Sequence, residues 1–337
     1  MCLLKETLLE KNKTFKPVWF MRQAGRYLPE FREIRSKNTN FINLCLNSEL
    51  SSEITLQPLK RYNLDAAIIF SDILLIPYVL GQQVNFIGKD GPALSEFNLE
   101  KFINNNEQKF IKQINPVYEA IKITRNKLNS SKSLIAFIGA PWTLIIYMLN
   151  LKKSKESLNL KLLEKKRAEI RMILDKIVNY LCTHIENQVK AGADVIQIFD
   201  SWAGLIPDEN LEEYCYEPNK KLVQFCKEKK IPVICFPKGL NKNYLNFNET
   251  VKPDGISLDY EVDPIWAKKT LTNVVFQGGM SPKILLKNDK EIYDEAKKYM
   301  DIFSDVPYIF NLGHGLLPET NPEILGKLVN FIKQNNV

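Results

Sequence analysis

Leu134-Ile135-Ala136-Phe137-Ile138 is five apolar residues without a break, followed at once by Gly139-Ala140-Pro141-Trp142. A strand with one wet face alternates apolar and polar residues. An unbroken run belongs to a strand covered on both faces, as in a parallel sheet. Working outward, seven further short β-rich runs recur, most of them also unbroken: 17–21, 66–70, 194–199, 231–236, 255–259, 273–277 and 307–312. Amphipathic stretches lie between them, 164–191 and 289–303 among them, with apolar positions at helical spacing. Strand and helix in alternation predict an α/β fold with a parallel sheet. Eight runs predict a closed (β/α)8 TIM-type barrel with an N-terminal extension more than an open doubly wound sheet. The count is soft at its start, because the run 17–21 can lie outside the barrel.

The length of 337 residues fits one such barrel of roughly 250 residues with insertions. One insertion is legible after the second run. Gln83-Val84-Asn85-Phe86-Ile87 and Ala93-Leu94-Ser95 flank Gly88-Lys89-Asp90-Gly91, the pattern of a small hairpin. No linker, repeat or composition shift interrupts the chain, so residues 1–337 read as a single domain.

Composition excludes several classes. The formal net charge is +7, but the lysines are scattered, with no run of five or six and no basic stripe. Nucleic acid is therefore not an expected partner, whereas an acidic small molecule stays open. The excess of Asn, as in Asn104-Asn105-Asn106, reads as compositional bias. The six cysteines form no CxxC pair and read as reduced, mostly buried thiols. The start, Met-Cys-Leu-Leu-Lys-Glu, lacks the apolar stretch of a signal peptide. The longest apolar runs, 73–80 and 144–149, fall far short of the roughly 20 residues that span a bilayer. The expectation is a cytoplasmic protein with no membrane partner. There is no GxGxxG, no GxxxxGK[ST] and no GxSxG. With only two histidines, far apart, a zinc site is not expected.

In a barrel of this type the site lies at the C-terminal ends of the strands. The residues just past the runs are Arg22, Gln23, Gly25 and Arg26; Ser71 and Asp72; Gly139 to Trp142, with Tyr147 beyond; Asp200, Ser201 and Trp202; Lys238; Asp259; Gly278, Gly279 and Met280; and Gly313-His314-Gly315. Taken singly, each has an ordinary reading. Arg22 and Arg26 would be surface ion-pair residues. Asp72 would be a helix N-cap, Ser201 another cap and Tyr147 a core aromatic. His314 would be a loop histidine, and His184, inside an amphipathic stretch, a structural one. Polar groups and glycines gathered at one end are what a site looks like.

Pro17-Val18-Trp19-Phe20-Met21-Arg22-Gln23-Ala24-Gly25-Arg26-Tyr27-Leu28-Pro29-Glu30 resembles the N-terminal signature of the uroporphyrinogen decarboxylase family. Phe70-Ser71-Asp72-Ile73-Leu74, Gly139-Ala140-Pro141-Trp142-Thr143-Leu144 and Phe199-Asp200-Ser201-Trp202-Ala203-Gly204 resemble it too. So do Gln277-Gly278-Gly279-Met280 and Phe310-Asn311-Leu312-Gly313-His314-Gly315, all in family order. The resemblance implies a (β/α)8 barrel, a homodimer with facing clefts, uroporphyrinogen III as substrate, coproporphyrinogen III as product, and no metal or organic cofactor. It implies substrate binding by Arg22, Gln23, Ala24, Gly25, Arg26, Asp72, Tyr147, Ser201 and His314, with Asp72 and Arg22 catalytic.

The chemistry suits those residue types. One carboxylate at the cleft centre accepts from several pyrrole N–H groups at once, and guanidinium pairs bidentately with carboxylate arms. Loss of CO2 needs an electron sink, which a pyrrole protonated on a ring carbon provides. Asp72 would stabilise that cation, Arg22 would position and polarise, and the proton would come from His314 or from water held by Arg22. Two other readings compete. A zinc-dependent methyltransferase of the same superfamily would need a histidine–cysteine set around Cys235. A tetrapyrrole carrier would need the grip without the arginine cluster.

Overall fold

The computed structural model describes residues 2–86, 91–154 and 157–336. Seven parallel strands form one sheet in chain order: β1 (Ala66–Ile68), β2 (Ser133–Gly139), β3 (Val195–Asp200), β4 (Val233–Pro237), β5 (Gly255–Leu258), β6 (Val275–Gly278) and β7 (Tyr308–Ile309). Each falls on one of the apolar runs. The remaining run, 17–21, joins the sheet's two edges. Phe310 N–H donates to Pro17 O at 2.8 Å and Trp19 N–H to Phe310 O at 3.3 Å, in parallel sense. On the other side Asp65 N–H donates to Val18 O at 2.9 Å, and Val18 N–H donates to the Asp65 carboxylate at 2.7 Å. The first run in sequence thus lies inside the barrel, between β7 and β1.

Two apolar layers follow from this. Inside, Trp19, Ile135, Val195, Ile234, Phe236, Val275 and Ile309 pack together with Leu4 and Leu8. Those leucines belong to the helix Leu3–Glu10, the expected N-terminal extension, which stops the barrel at the starts of its strands. A Cβ on Gly255, at the start of β5, would come within 2.9 Å of Leu8 Cδ2, so plug and strand touch directly. The polar groups in this interior satisfy one another. Trp19 Nε1–H donates to Gln277 Oε1 at 2.9 Å, and Gln277 Nε2–H to Gln197 Oε1 at 3.0 Å. Outside, the helices Glu107–Lys127, Arg167–Lys190, Glu217–Glu228 and Pro322–Gln334 lay their apolar faces on the sheet.

Several helices start on asparagine. Asn40, Asn47, Asn98, Asn106, Asn159, Asn288 and Asn321 each accept a main-chain N–H in the first turn. An excess expected as bias is put to use as caps. The stretch 164–191 is two helices, Leu160–Lys165 and Arg167–Lys190, broken at Lys166. The expected hairpin pairs Val84–Phe86 with Pro92–Leu94 antiparallel; its turn, residues 87–90, lies outside the described residues. A second antiparallel pair, Lys152–Ser154 with Ser157–Leu158, was not expected. Cys2, Cys45, Cys215, Cys226 and Cys235 are buried and Cys182 is half-buried, all as free thiols. Among the described residues no helix is long and apolar enough to cross a membrane.

Candidate active site

The run 17–21 ends in Arg22, which takes a left-handed φ of 62°. That conformation is uncommon for a side chain other than Gly, Asn or Asp and has to be held by its surroundings. Leu316 N–H donates to Met21 O at 2.9 Å, and Met21 N–H to Asn311 Oδ1 at 3.1 Å. The loop after β7 therefore runs beneath Arg22. Gly315 is the contact: a Cβ there would lie 2.4 Å from Arg22 Cδ. Arg22 is exposed to solvent yet crowded by protein, the situation of a group on the floor of an open cleft. Desolvation and the neighbouring Arg26 lower its proton affinity, and Asp72 and Tyr147 partly restore it.

Gln23 does not face the cleft. It is fully buried, accepts from Phe20 N–H at 3.1 Å, donates to Ala66 O at 3.0 Å, and offers its carbonyl to Tyr27 OH at 2.9 Å. It fastens the arginine turn to β1. Ala24 and Gly25 are half-buried in that turn. Gly25 is required there, since a Cβ would meet Arg22 O at 2.7 Å. Arg26 is exposed, its carbonyl accepting from Arg32 Nη1 at 2.8 Å. Arg26, Arg32 and Arg35 line one open pocket with Phe31, Ser36 and Pro318. Arg32 and Arg35 lie one and two turns along the helix Pro29–Lys37, a guanidinium spacing that the sequence reading passed over.

Asp72 stands just past β1 and is half-buried. Its Oδ1 accepts from Leu74 N–H at 2.8 Å. This is an Asx turn before the helix Leu75–Val79, whose own N-cap is Leu74, so Asp72 is not that helix's cap. Burial pushes its pKa up to about 6, against the Leu74 hydrogen bond and Arg22, which both lower it. Tyr147, half-buried on the helix Pro141–Met148, has its hydroxyl pKa raised by burial and by Asp72. Arg22, Asp72 and Tyr147 thus act on one another across one space. Trp202 meets Tyr147 edge-on at 6.2 Å between ring centroids, which brings the half-buried Ser201 alongside.

His314 is the last member. Its Nδ1 accepts from Gly315 N–H at 2.7 Å, which places the ring proton on Nε2. Burial, Arg22 and Lys238 bring its pKa down to about 4. It is neutral at physiological pH and donates a hydrogen bond from Nε2. This argues against the expectation that it supplies an acid proton. The other histidine, His184, is buried between two outer helices with Nδ1 3.0 Å from Tyr118 OH, a structural place as expected. Cys235 lies buried in β4 with its thiol pKa raised by that burial. Among the described residues no three His, Cys, Asp or Glu side chains group to hold a metal. Two residues without an assigned role, Asp200 and Thr143, also stand at this end, hydrogen-bonded at 2.7 Å.

Against known families, the chain matches the family described as Uroporphyrinogen decarboxylase (URO-D) over residues 3–335. It is 40% identical over 334 residues to the uroporphyrinogen decarboxylase of Rickettsia felis, across 96% of this chain and 95% of that one. It is 42% identical over 336 residues to the uroporphyrinogen decarboxylase of Orientia tsutsugamushi, across 94% and 95%. Among solved structures it is similar to a methyltransferase from Methanosarcina mazei, with a TM-score of 0.81 at 18% identity over 99% and 98% of the two chains. A putative vitamin-B12 independent methionine synthase from Listeria monocytogenes gives 0.58 at 12% identity over 96% and 98%. At such identities these two likenesses speak for the barrel alone.

Proposed function

The chain belongs to the uroporphyrinogen decarboxylase family and decarboxylates uroporphyrinogen in tetrapyrrole biosynthesis, and we propose that it does so with the residues gathered around Asp72. The substrate is the III isomer, its four acetate arms become methyl groups, and the products are coproporphyrinogen III and CO2. The observation that carries this assignment of roles is the position of Asp72: one carboxylate oxygen is held by Leu74, and Arg22 and Tyr147 stand around the group. At neutral pH, above a pKa of about 6, the carboxylate is mostly ionised. It accepts from the pyrrole N–H groups, and its charge balances the ring cation formed when a ring carbon takes a proton. The bond to the acetate carboxylate then breaks, CO2 leaves, and the electron pair enters the ring, leaving an exocyclic methylene. A proton added to that methylene and loss of the proton from the ring carbon give the methyl group and restore the pyrrole.

Arg22 and Arg26 bind acidic arms in two-point contacts. Tyr147 and Ser201 offer hydroxyls, and His314 donates from Nε2. Gln23, Ala24 and Gly25 act through the turn they build, which sets where the two guanidiniums stand. Since His314 is held neutral, water ordered by Arg22 is the proton source in this reading. The protein works in the cytoplasm as a homodimer with facing clefts, without a metal or organic cofactor. The test is incubation of purified protein with uroporphyrinogen and counting of carboxylates on the products, with sedimentation for the dimer. A full set of eight carboxylates after prolonged incubation would overturn the reading.

A further inference from the structure

Asp200 closes β3 and is fully buried. Its carboxylate accepts from Thr143 Oγ1 at 2.7 Å, from Asn219 Nδ2 at 3.2 Å and, more weakly, from Cys215 Sγ at 3.6 Å. These are neutral donors. Burial pushes the Asp200 pKa up to about 6. A buried carboxylate compensated only by neutral donors lowers stability relative to an apolar residue, so what it holds in place is informative.

It holds Thr143. The threonine hydroxyl has one proton, which goes to Asp200, and its oxygen in turn accepts from Trp202 N–H at 3.2 Å. Trp202 O accepts from the Trp142 indole N–H at 3.1 Å, and the Trp142 ring is stacked on Tyr214 at 5.1 Å and 7°. The main chain around Ser201 and Trp202 is therefore pinned at both its N–H and its carbonyl by two consecutive residues of the segment after β2. On its other side Gly204 N–H donates to Lys238 O at 2.9 Å. Nothing in this arrangement is needed to hold β2, β3 and β4 together, which their own ladders already do. All of it bears on where the residue between Asp200 and Trp202 points.

We propose that Asp200 is a positioning residue of the decarboxylation site: through the Thr143 hydroxyl it fixes the main chain of Trp202 and so aims the Ser201 hydroxyl at the substrate. This rests on the reading of the cleft given above. The experiment is steady-state kinetics on uroporphyrinogen, per folded protein and well below the melting temperature. The variants are Thr143→Val, which keeps the shape and removes the hydroxyl, and Thr143→Ser, which keeps the hydroxyl. Thr143→Val should raise KM about tenfold, because small misplacements of a binding group cost that much and more. Thr143→Ser should stay within about threefold of the parent. In a Ser201→Ala background Thr143→Val should add less than about twofold, since the relay then has no hydroxyl to aim. A lowered melting temperature with KM and kcat unmoved would overturn the proposal, as would a full tenfold effect in the Ser201→Ala background. If Thr143→Val does not fold, Thr143→Ala carries the same comparison. Failure of the underlying reading is distinct, because the parent itself would then leave uroporphyrinogen unchanged.

Discussion

At the mouth where the strands begin, Leu4 and Leu8 fill the barrel and two of the neighbouring carboxylates are paired. Lys333 holds Asp65 at 2.5 Å, and Arg125 holds Asp194 at 3.0 Å. At the mouth where they end, Arg22 has a left-handed backbone and Asp72 a pKa raised to about 6. There, too, Asp200 is buried against neutral donors and His314 is kept neutral. The first mouth rests mainly on apolar packing and paired charge, although Asp254 there, held by Val233 N–H, also has its pKa raised by burial, and Lys230, Lys252 and Asn273 take left-handed φ just before their strands. The second gathers more such exceptions around one space, and on the reading proposed above their protonation and direction serve the chemistry.

The sharpest way to break this contrast is Asp72→Asn. Asparagine still accepts from Leu74 N–H, so the turn survives, but the negative charge is gone. Turnover should fall roughly 10²–10³-fold or more. Stability should not fall. A carboxyl whose folded pKa is raised from 3.8 to about 6 contributes stability that is present below pH about 4 and is lost as pH rises through about 6. At pH 7.5 the variant should thus melt at or above the parent's temperature. Turnover within a few-fold of the parent would sink the role given to Asp72.

The second effect follows from the same group. In the free enzyme kcat/KM should drop about tenfold per pH unit below about 6, as Asp72 gains a proton. Asp200 titrates in the same range, and the variants separate the two. If the residual activity of Asp72→Asn keeps this acid limb unchanged, Asp72 is not its origin. Third, Arg26→Lys should cost about tenfold in kcat/KM, because lysine keeps the charge but loses the planar two-point contact. An unchanged value would remove Arg26 from the rim. The smallest effect on activity belongs to the other mouth. Leu8→Ala should leave kcat within about twofold while lowering the unfolding free energy by roughly 2–5 kcal/mol for a fully enclosed leucine, read as a lower denaturant midpoint. A kinetic defect there would mean the two mouths are coupled.

What the sequence made legible, and what it hid, divides along physical lines. Strands covered on both faces leave unbroken apolar runs, so β1 to β7 were visible from periodicity. The place of the run 17–21 was not, because a side chain, the Asp65 carboxylate, substitutes for a ladder partner. The pair Lys152–Ser154 and Ser157–Leu158 carries polar residues and no alternation, so nothing announced it. At the site, residue types at strand ends pointed to Arg22, Asp72 and Tyr147. Direction is another matter. Gln23 stands in the same string as Arg22 and faces the core, since its amide completes main-chain bonds at Phe20 and Ala66. The neutral state of His314 depends on burial and on Arg22 and Lys238, and its tautomer on a hydrogen bond from its own neighbour, while Asp200 reads as one more strand-end aspartate until Thr143 is seen against it.

The bond between Met21 and Asn311 joins residues 290 positions apart, and the support of Arg22 by Gly315 spans slightly farther. During synthesis at roughly 5–20 residues per second, Arg22 leaves the ribosome some tens of seconds before the loop that holds it. Asp72, Tyr147 and Ser201 emerge one after another within that interval, while the arginine turn still has no floor. On the reading proposed above, a growing chain gains its full grip on the macrocycle only once Gly315 has been made, so binding competence is a late event of synthesis.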